Sequence, residues 1–139
     1  YQIPYKNMVR YMFSMPDDNS FEMLYDNLRA QETISFWSTS FLRGVTLDNC
    51  IVIVDEFSNL NFHELDSIIT RVGEDTKIMF CGDIAQSDLN KESEKSGISD
   101  FMKIIQTMDA FTCIEFGIND IVRSGLVKDY LLAKYKLGF

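Results

Sequence analysis

A chain of 139 residues suits one domain with a real core and is too short for two. Its 46% hydrophobic and 13% aromatic content exclude disorder as the default, and a net charge of −8 argues against a broad nucleic-acid-binding face while leaving room for a local basic groove. No apolar stretch approaches a membrane span, and Cys50, Cys81 and Cys113, odd in number and set in apolar runs, read as reduced core cysteines. The expectation is a soluble, cytoplasmic protein with no membrane partner. Tyr1 standing where a Met would be suggests a piece of a longer polypeptide, although a processed terminus would look the same.

In chain order, Tyr5, Met8, Val9, Met12 and Phe13 recur at helical spacing and predict a short amphipathic helix, broken at Met15-Pro16-Asp17-Asp18-Asn19. A second helix is expected over about Ser20 to Ala30, with Ser20 as its N-cap and Phe21, Leu24, Tyr25 and Leu28 on one face. Thr33 to Trp37 alternates polar and apolar residues and reads as a strand; Ser38 to Leu47 follows as a loop centred on Arg43-Gly44. Ile51-Val52-Ile53-Val54 is a short apolar run of the kind buried on both faces in a parallel sheet, and it ends abruptly in Asp55-Glu56. Asn61 and Glu64 then form a capping box before a helix carrying Leu65, Ile68, Ile69 and Val72, with Gly73 expected as its left-handed end. His63, in that helix's polar first turn with no second ligand near it, reads as a surface residue. Ile78 to Cys81 predicts another buried strand, ending in Gly82-Asp83, and Ser87 to Ser96 a solvated loop. From Ser96-Gly97 a helix is expected through Met108, then a strand over Phe111 to Phe116, a loop holding Arg123, and a last helix over roughly Ser124 to Lys136. Short apolar strands separated by amphipathic helices predict an α/β fold with a parallel sheet and helices on both faces, its strands lying near Ile34, Ile51, Ile78 and Cys113.

The chemistry is expected at the strand ends, because open α/β sheets bind ligands beyond the carboxyl ends of their strands. Asp55-Glu56 and, one crossover later, Gly82-Asp83-Ile84-Ala85-Gln86 would share that rim. In nucleotide hydrolases an Asp so placed holds Mg²⁺ and a neighbouring Glu polarises the attacking water, while a Gln amide can donate to a phosphate oxygen and accept from water. Taken alone, either strand also describes a segment that simply stops at a solvated acidic turn.

Five segments in order and spacing point further: Ser40 to Asn49, Ile51 to Asn59, Gly82 to Leu89, Lys95-Ser96-Gly97, and Asp120-Ile121-Val122-Arg123-Ser124. Over about Ser35 to Tyr135 the chain resembles the PhoH-like proteins, RecA-like P-loop ATPases related to superfamily 1 helicases. The resemblance implies a RecA-like parallel sheet and the cofactors ATP and Mg²⁺. It makes Asp55 the metal residue and Glu56, Gln86 and Arg123 catalytic: Glu56 prepares the water, Gln86 with Asp83 senses the terminal phosphate, and Arg123 is a candidate finger acting within the chain or across a subunit boundary. Asp83, Gln86, Arg43 and Arg123 are the implied nucleotide-binding residues, Arg43 through the family's Arg-Gly loop. Implied partners are a nucleotide, RNA or single-stranded DNA, and further copies of the chain in a hexameric ring. Where the family usually shows Asp-Glu-Ala-Gln-Asn this chain has Asp55-Glu56-Phe57-Ser58-Asn59, which removes an amide from beside the acids. No G-x-x-x-x-G-K-[ST] occurs, so the phosphate loop and the first, central strand of such a sheet are absent from these 139 residues. The chain is thus expected to be a single domain, the later part of such an ATPase, inactive on its own. The competing expectation is a truncated or degenerate homologue that keeps the fold as a non-catalytic protein-binding module.

Overall fold

The computed structural model describes residues 2–15, 17–83 and 92–137, with residues 92–96 described by their backbone alone. The apolar run Ile51–Asp55 forms β1, Lys77–Cys81 forms β2, and the two pair in parallel with Ile51 opposite Lys77 and Asp55 opposite Cys81. Parallel strands cannot be joined by a tight turn, and the crossover here is helix α3, Phe62–Ile69. Its start is as expected: the Asn61 side chain accepts from the Glu64 amide at 3.1 Å and the Glu64 carboxylate accepts from the Asn61 amide at 3.0 Å. The two other long elements that follow are α4, Glu92–Gln106, and α5, Gly125–Lys136. Before β1 come α1, Ile3–Phe13, and α2, Asp18–Ala30. None of the described helices is long and apolar enough to cross a membrane.

Side chains alternate across a strand, so one face of the sheet carries Val52, Val54, Ile78 and Phe80 and the other Ile51, Ile53 and Met79. The first face is covered by α3 and α4, and Val54, Leu65, Ile68, Ile98, Phe101 and Ile105 form the main core with Leu42 and Phe57. The second face is open: Ile51 is 66% and Ile53 59% exposed. This corrects the expectation of burial on both faces. The strand is apolar on both sides, but among the described residues helices lie against only one.

Other expectations also change. Ser20 does not cap α2; Asp17 does, its carboxylate accepting from the Ser20 amide at 2.8 Å, and that contact holds the Asp17 carboxyl below its usual range. Thr33 to Trp37 is not a strand, and the backbone of Ile34 within it is taken by the end of α2. The Ile34 amide donates to the Leu28 carbonyl at 3.2 Å, and Arg29 donates to the Ile34 carbonyl at 3.0 Å. Ile34 and Phe36 pack instead onto a second small core, Val9, Phe21 and Tyr25, between α1 and α2. Phe111 to Phe116 is likewise irregular: Phe111 packs near Phe80, while Ile114 and Phe116 are 75% and 84% exposed. Among the described residues the sheet therefore has two strands, not four. α4 begins at Glu92, inside the stretch expected to be a solvated loop. Nor does Gly73 end α3 in a left-handed turn. A Cβ there would fall 1.8 Å from Asp48 Oδ1, so the residue is glycine because residues 47–49 run directly alongside 71–74, with the Leu47 amide donating to the Arg71 carbonyl at 2.8 Å. The cysteines are unpaired, but Cys81 and Cys113 are exposed and Cys50 half-buried, so they are not core residues.

Candidate functional site

Parallel pairing in register is what assembles the site. With Asp55 opposite Cys81, β1 delivers Asp55-Glu56 and β2 delivers Gly82-Asp83 to the same rim. Asp55, Glu56 and Asp83 are all exposed there. The backbone between them is tightly shaped. Glu56 adopts a left-handed conformation, φ 52° and ψ 39°, which a non-glycine residue takes at a cost. It opens a single helical turn over Phe57–Asn59, closed by the Asn59 amide donating to the Glu56 carbonyl at 2.9 Å. Phe57 drops into the core, edge-on to Phe80 at 6.0 Å, and Ser58 is buried beneath β2's exit. Gly82 sits tightly at that exit: a Cβ would stand 3.0 Å from the Phe57 ring and 3.2 Å from the Ser58 hydroxyl, so a side chain there would push on both. The two residues that depart from the family's usual pattern therefore face the core and β2, and the acids project past them.

One oxygen of Asp55 accepts from the Glu56 amide at 3.0 Å, and the other accepts from the Tyr5 hydroxyl of α1. That bond, with burial and the charges of Asp55 and Glu56 adding to it, pushes the Tyr5 phenol up to about 12. No sequence signal marks Tyr5 for this role. It lies 50 positions from Asp55, and nothing in an amphipathic helix says which end reaches a distant strand.

The remaining expected residues are placed as follows. Gln86 lies outside the described residues. Arg43 is exposed and lines a groove with Ser40, Asn61, His63 and Ser67 at the start of α3. His63 is exposed, as expected. Arg123 is exposed on the segment entering α5, a helix with no buried residue. Neither arginine forms an ion pair among the described residues. Asp55 and Asp83 are the expected residues that the strand register carries to one rim. No cluster of three or more His, Cys, Asp or Glu fit for a metal occurs among the described residues. Carboxylates on one rim still fit Mg²⁺, which needs only one or two of them from the protein.

Comparison with known proteins now bears on this rim. The family pattern described as PhoH-like protein matches residues 4–135. The chain belongs to the PhoH-like family. It is 32% identical to a PhoH-like protein of Bacillus subtilis, over 77% of this chain and 36% of that protein. It is 34% identical to Protein PhoH of Escherichia coli strain K12, over 68% of this chain and 26% of that protein. A PhoH-like protein of Synechocystis is 35% identical over 64% of this chain and 27% of that protein. The chain thus spans between a quarter and about a third of the length of these relatives. The PhoH-like match begins at Pro4, so Tyr5, α2 and nearly all of α1 fall within it, which extends the likeness well before Ser35.

Proposed function

We propose that this chain is the acidic rim of an ATP-binding and ATP-hydrolysing domain of RecA-like architecture, coupled to work on RNA or single-stranded DNA. The observation that carries the reading is the β1–β2 register, which brings Asp55-Glu56 and Gly82-Asp83 to the same carboxyl-end rim of a parallel sheet, the kind of edge at which open α/β sheets bind ligands. Membership of the PhoH-like family supports it.

Asp55 would hold Mg²⁺, which when bound would supply positive charge to offset that of the phosphates. The Glu56 amide and the Tyr5 hydroxyl fix the Asp55 carboxylate in one orientation. Glu56, turned outward by its left-handed backbone, polarises the attacking water. Asp83 and Gln86 read the terminal phosphate, Arg43 adds a nucleotide contact, and Arg123 stabilises charge on the transferring group, within one chain or across a ring of subunits. A second reading, a non-catalytic protein-binding module, draws on the open sheet face at Ile51 and Ile53.

The test rests on the phosphate loop, whose Lys and amides act as a unit with the rim acids. The 139-residue chain alone is expected to show no ATP hydrolysis above background and only weak, Mg²⁺-dependent nucleotide binding. A version extended upstream through a phosphate loop is expected to hydrolyse ATP, and Glu56→Gln in it to keep nucleotide binding while turnover falls by about a hundredfold or more. Steady hydrolysis by the short chain, unchanged by Glu56→Gln, would place the catalytic centre elsewhere.

A further inference from the structure

Residues 35–41 hold a feature that the rim does not use. Between α2 and β1 the chain turns over Thr39–Phe41, closed by the Phe41 amide donating to the Ser38 carbonyl at 3.0 Å. Leu42 anchors this turn in the main core at 7% exposure, and the residue before it, Phe41, is left 74% exposed. Trp37 follows directly on Phe36, which packs against the second core, and is itself 54% exposed. Together Arg29, Ser35, Phe36, Trp37, Ser38 and Phe41 line an open cleft of about 340 Å³, at the lower end of the roughly 300–1,000 Å³ that small-ligand sites occupy. The Arg29 guanidinium lies 5.1 Å from the centre of the Phe36 ring and spends one donor on the Ile34 carbonyl, leaving the rest of its fork for a ligand.

The composition of this cleft sets it apart from the rest of the molecule. The chain has 21 acids against 13 bases, yet the lining carries a cation, two hydroxyls, three aromatic rings and no carboxylate. Exposed rings beside a fixed arginine are what single-stranded nucleic acid needs: a flat apolar face for an unpaired base and a positive group for its phosphate.

We propose that the Arg29–Trp37–Phe41 cleft stacks an unpaired base of a single nucleic-acid strand. The inference rests on the nucleic-acid part of the function proposed above and not on ATP hydrolysis. The shared chemistry, a free base face, could also come from a mononucleotide, so the strand is distinguished by its tighter binding.

Trp37 is the chain's single tryptophan, so its fluorescence reports this cleft alone. In titrations of the 139-residue chain at low salt, single-stranded oligothymidylate is expected to quench that emission saturably. A duplex at equal phosphate should quench little, because its base faces are already stacked, and thymidine monophosphate should need far higher concentration. Anisotropy of a labelled oligothymidylate gives a reading independent of Trp37. By it, Phe41→Ala, Trp37→Ala and Arg29→Ala should each weaken binding by about tenfold or more. Phe41 is too exposed for its loss to unfold the chain, so that variant, checked by circular dichroism, keeps the test sharp if Arg29→Ala disturbs α2. Absent quenching, equal quenching by duplex or by the mononucleotide, stronger quenching by an acidic aromatic peptide, or unchanged binding by Phe41→Ala would each overturn the proposal. Quenching without ATP hydrolysis in the extended chain would remove the ATPase reading and leave the cleft; hydrolysis without quenching would do the reverse.

Discussion

The β1–α3–β2–α4 unit and the α1–α2 hairpin are held together by different forces. In the first, Leu65, Ile98 and Phe101 are at most 2% exposed, and the core around them is apolar. In the second the core shrinks to Val9, Phe21 and Tyr25, and cations close over it: Arg10 lies 4.6 Å from the Phe21 ring and Lys6 5.1 Å from the Tyr25 ring. Lys6 pairs with Glu22 and Arg10 with Asp18, both at 2.5 Å. The site joins the two regions, since Asp55 belongs to the first and Tyr5 to the second. The rim thus takes its backbone from the apolar unit and a hydrogen bond from the hairpin.

That contrast can be broken most forcefully in the apolar unit. Leu65→Ala removes a fully buried side chain from under the sheet and should cost about 2–5 kcal/mol in urea unfolding. A smaller loss would mean that α3 is less essential to the register than its burial indicates.

Tyr5→Phe tests the link between the regions. With the phenol raised from 10.0 to about 12 in the folded chain, the Tyr5–Asp55 contact contributes its full stability below pH 10 and loses it as pH rises through 12. The melting temperature of the parent chain should therefore fall over that window by a component that Tyr5→Phe lacks. In an extended, active form the same substitution should loosen the Asp55 carboxylate, with an effect on metal dependence larger than on the fold. Identical pH profiles for parent and variant would mean that the hydroxyl does not hold Asp55 in solution.

The smallest effect is expected at the hairpin surface. Arg10→Ala removes a partly exposed ion pair worth up to about 1 kcal/mol, together with the contact over Phe21. Its cost should shrink as salt is added, whereas that of Leu65→Ala should not. Equal salt sensitivity of the two variants would erase the distinction between the regions.

Features written in adjacent residues are legible from the amino-acid order itself. The run Ile51 to Val54, the strand ending at Gly82-Asp83, the Asn61–Glu64 capping box and the α1, α2 and α5 periodicities each depend on contacts within a few positions, and each forms at the expected place. The shared rim of Asp55 and Asp83 follows from them, because two strands joined by one helical crossover run parallel and end at the same edge. Tertiary structure decided what depends on a partner far along the chain. Thr33 to Trp37 has the alternation of a strand, but a strand exists only beside another, and the end of α2 takes the backbone of Ile34. The apolar run of β1 could not say which of its faces helices would cover. Gly73 is explained by Asp48, and the Asp55 carboxylate is oriented by Tyr5, because packing sets side by side residues that sequence keeps 25 and 50 positions apart.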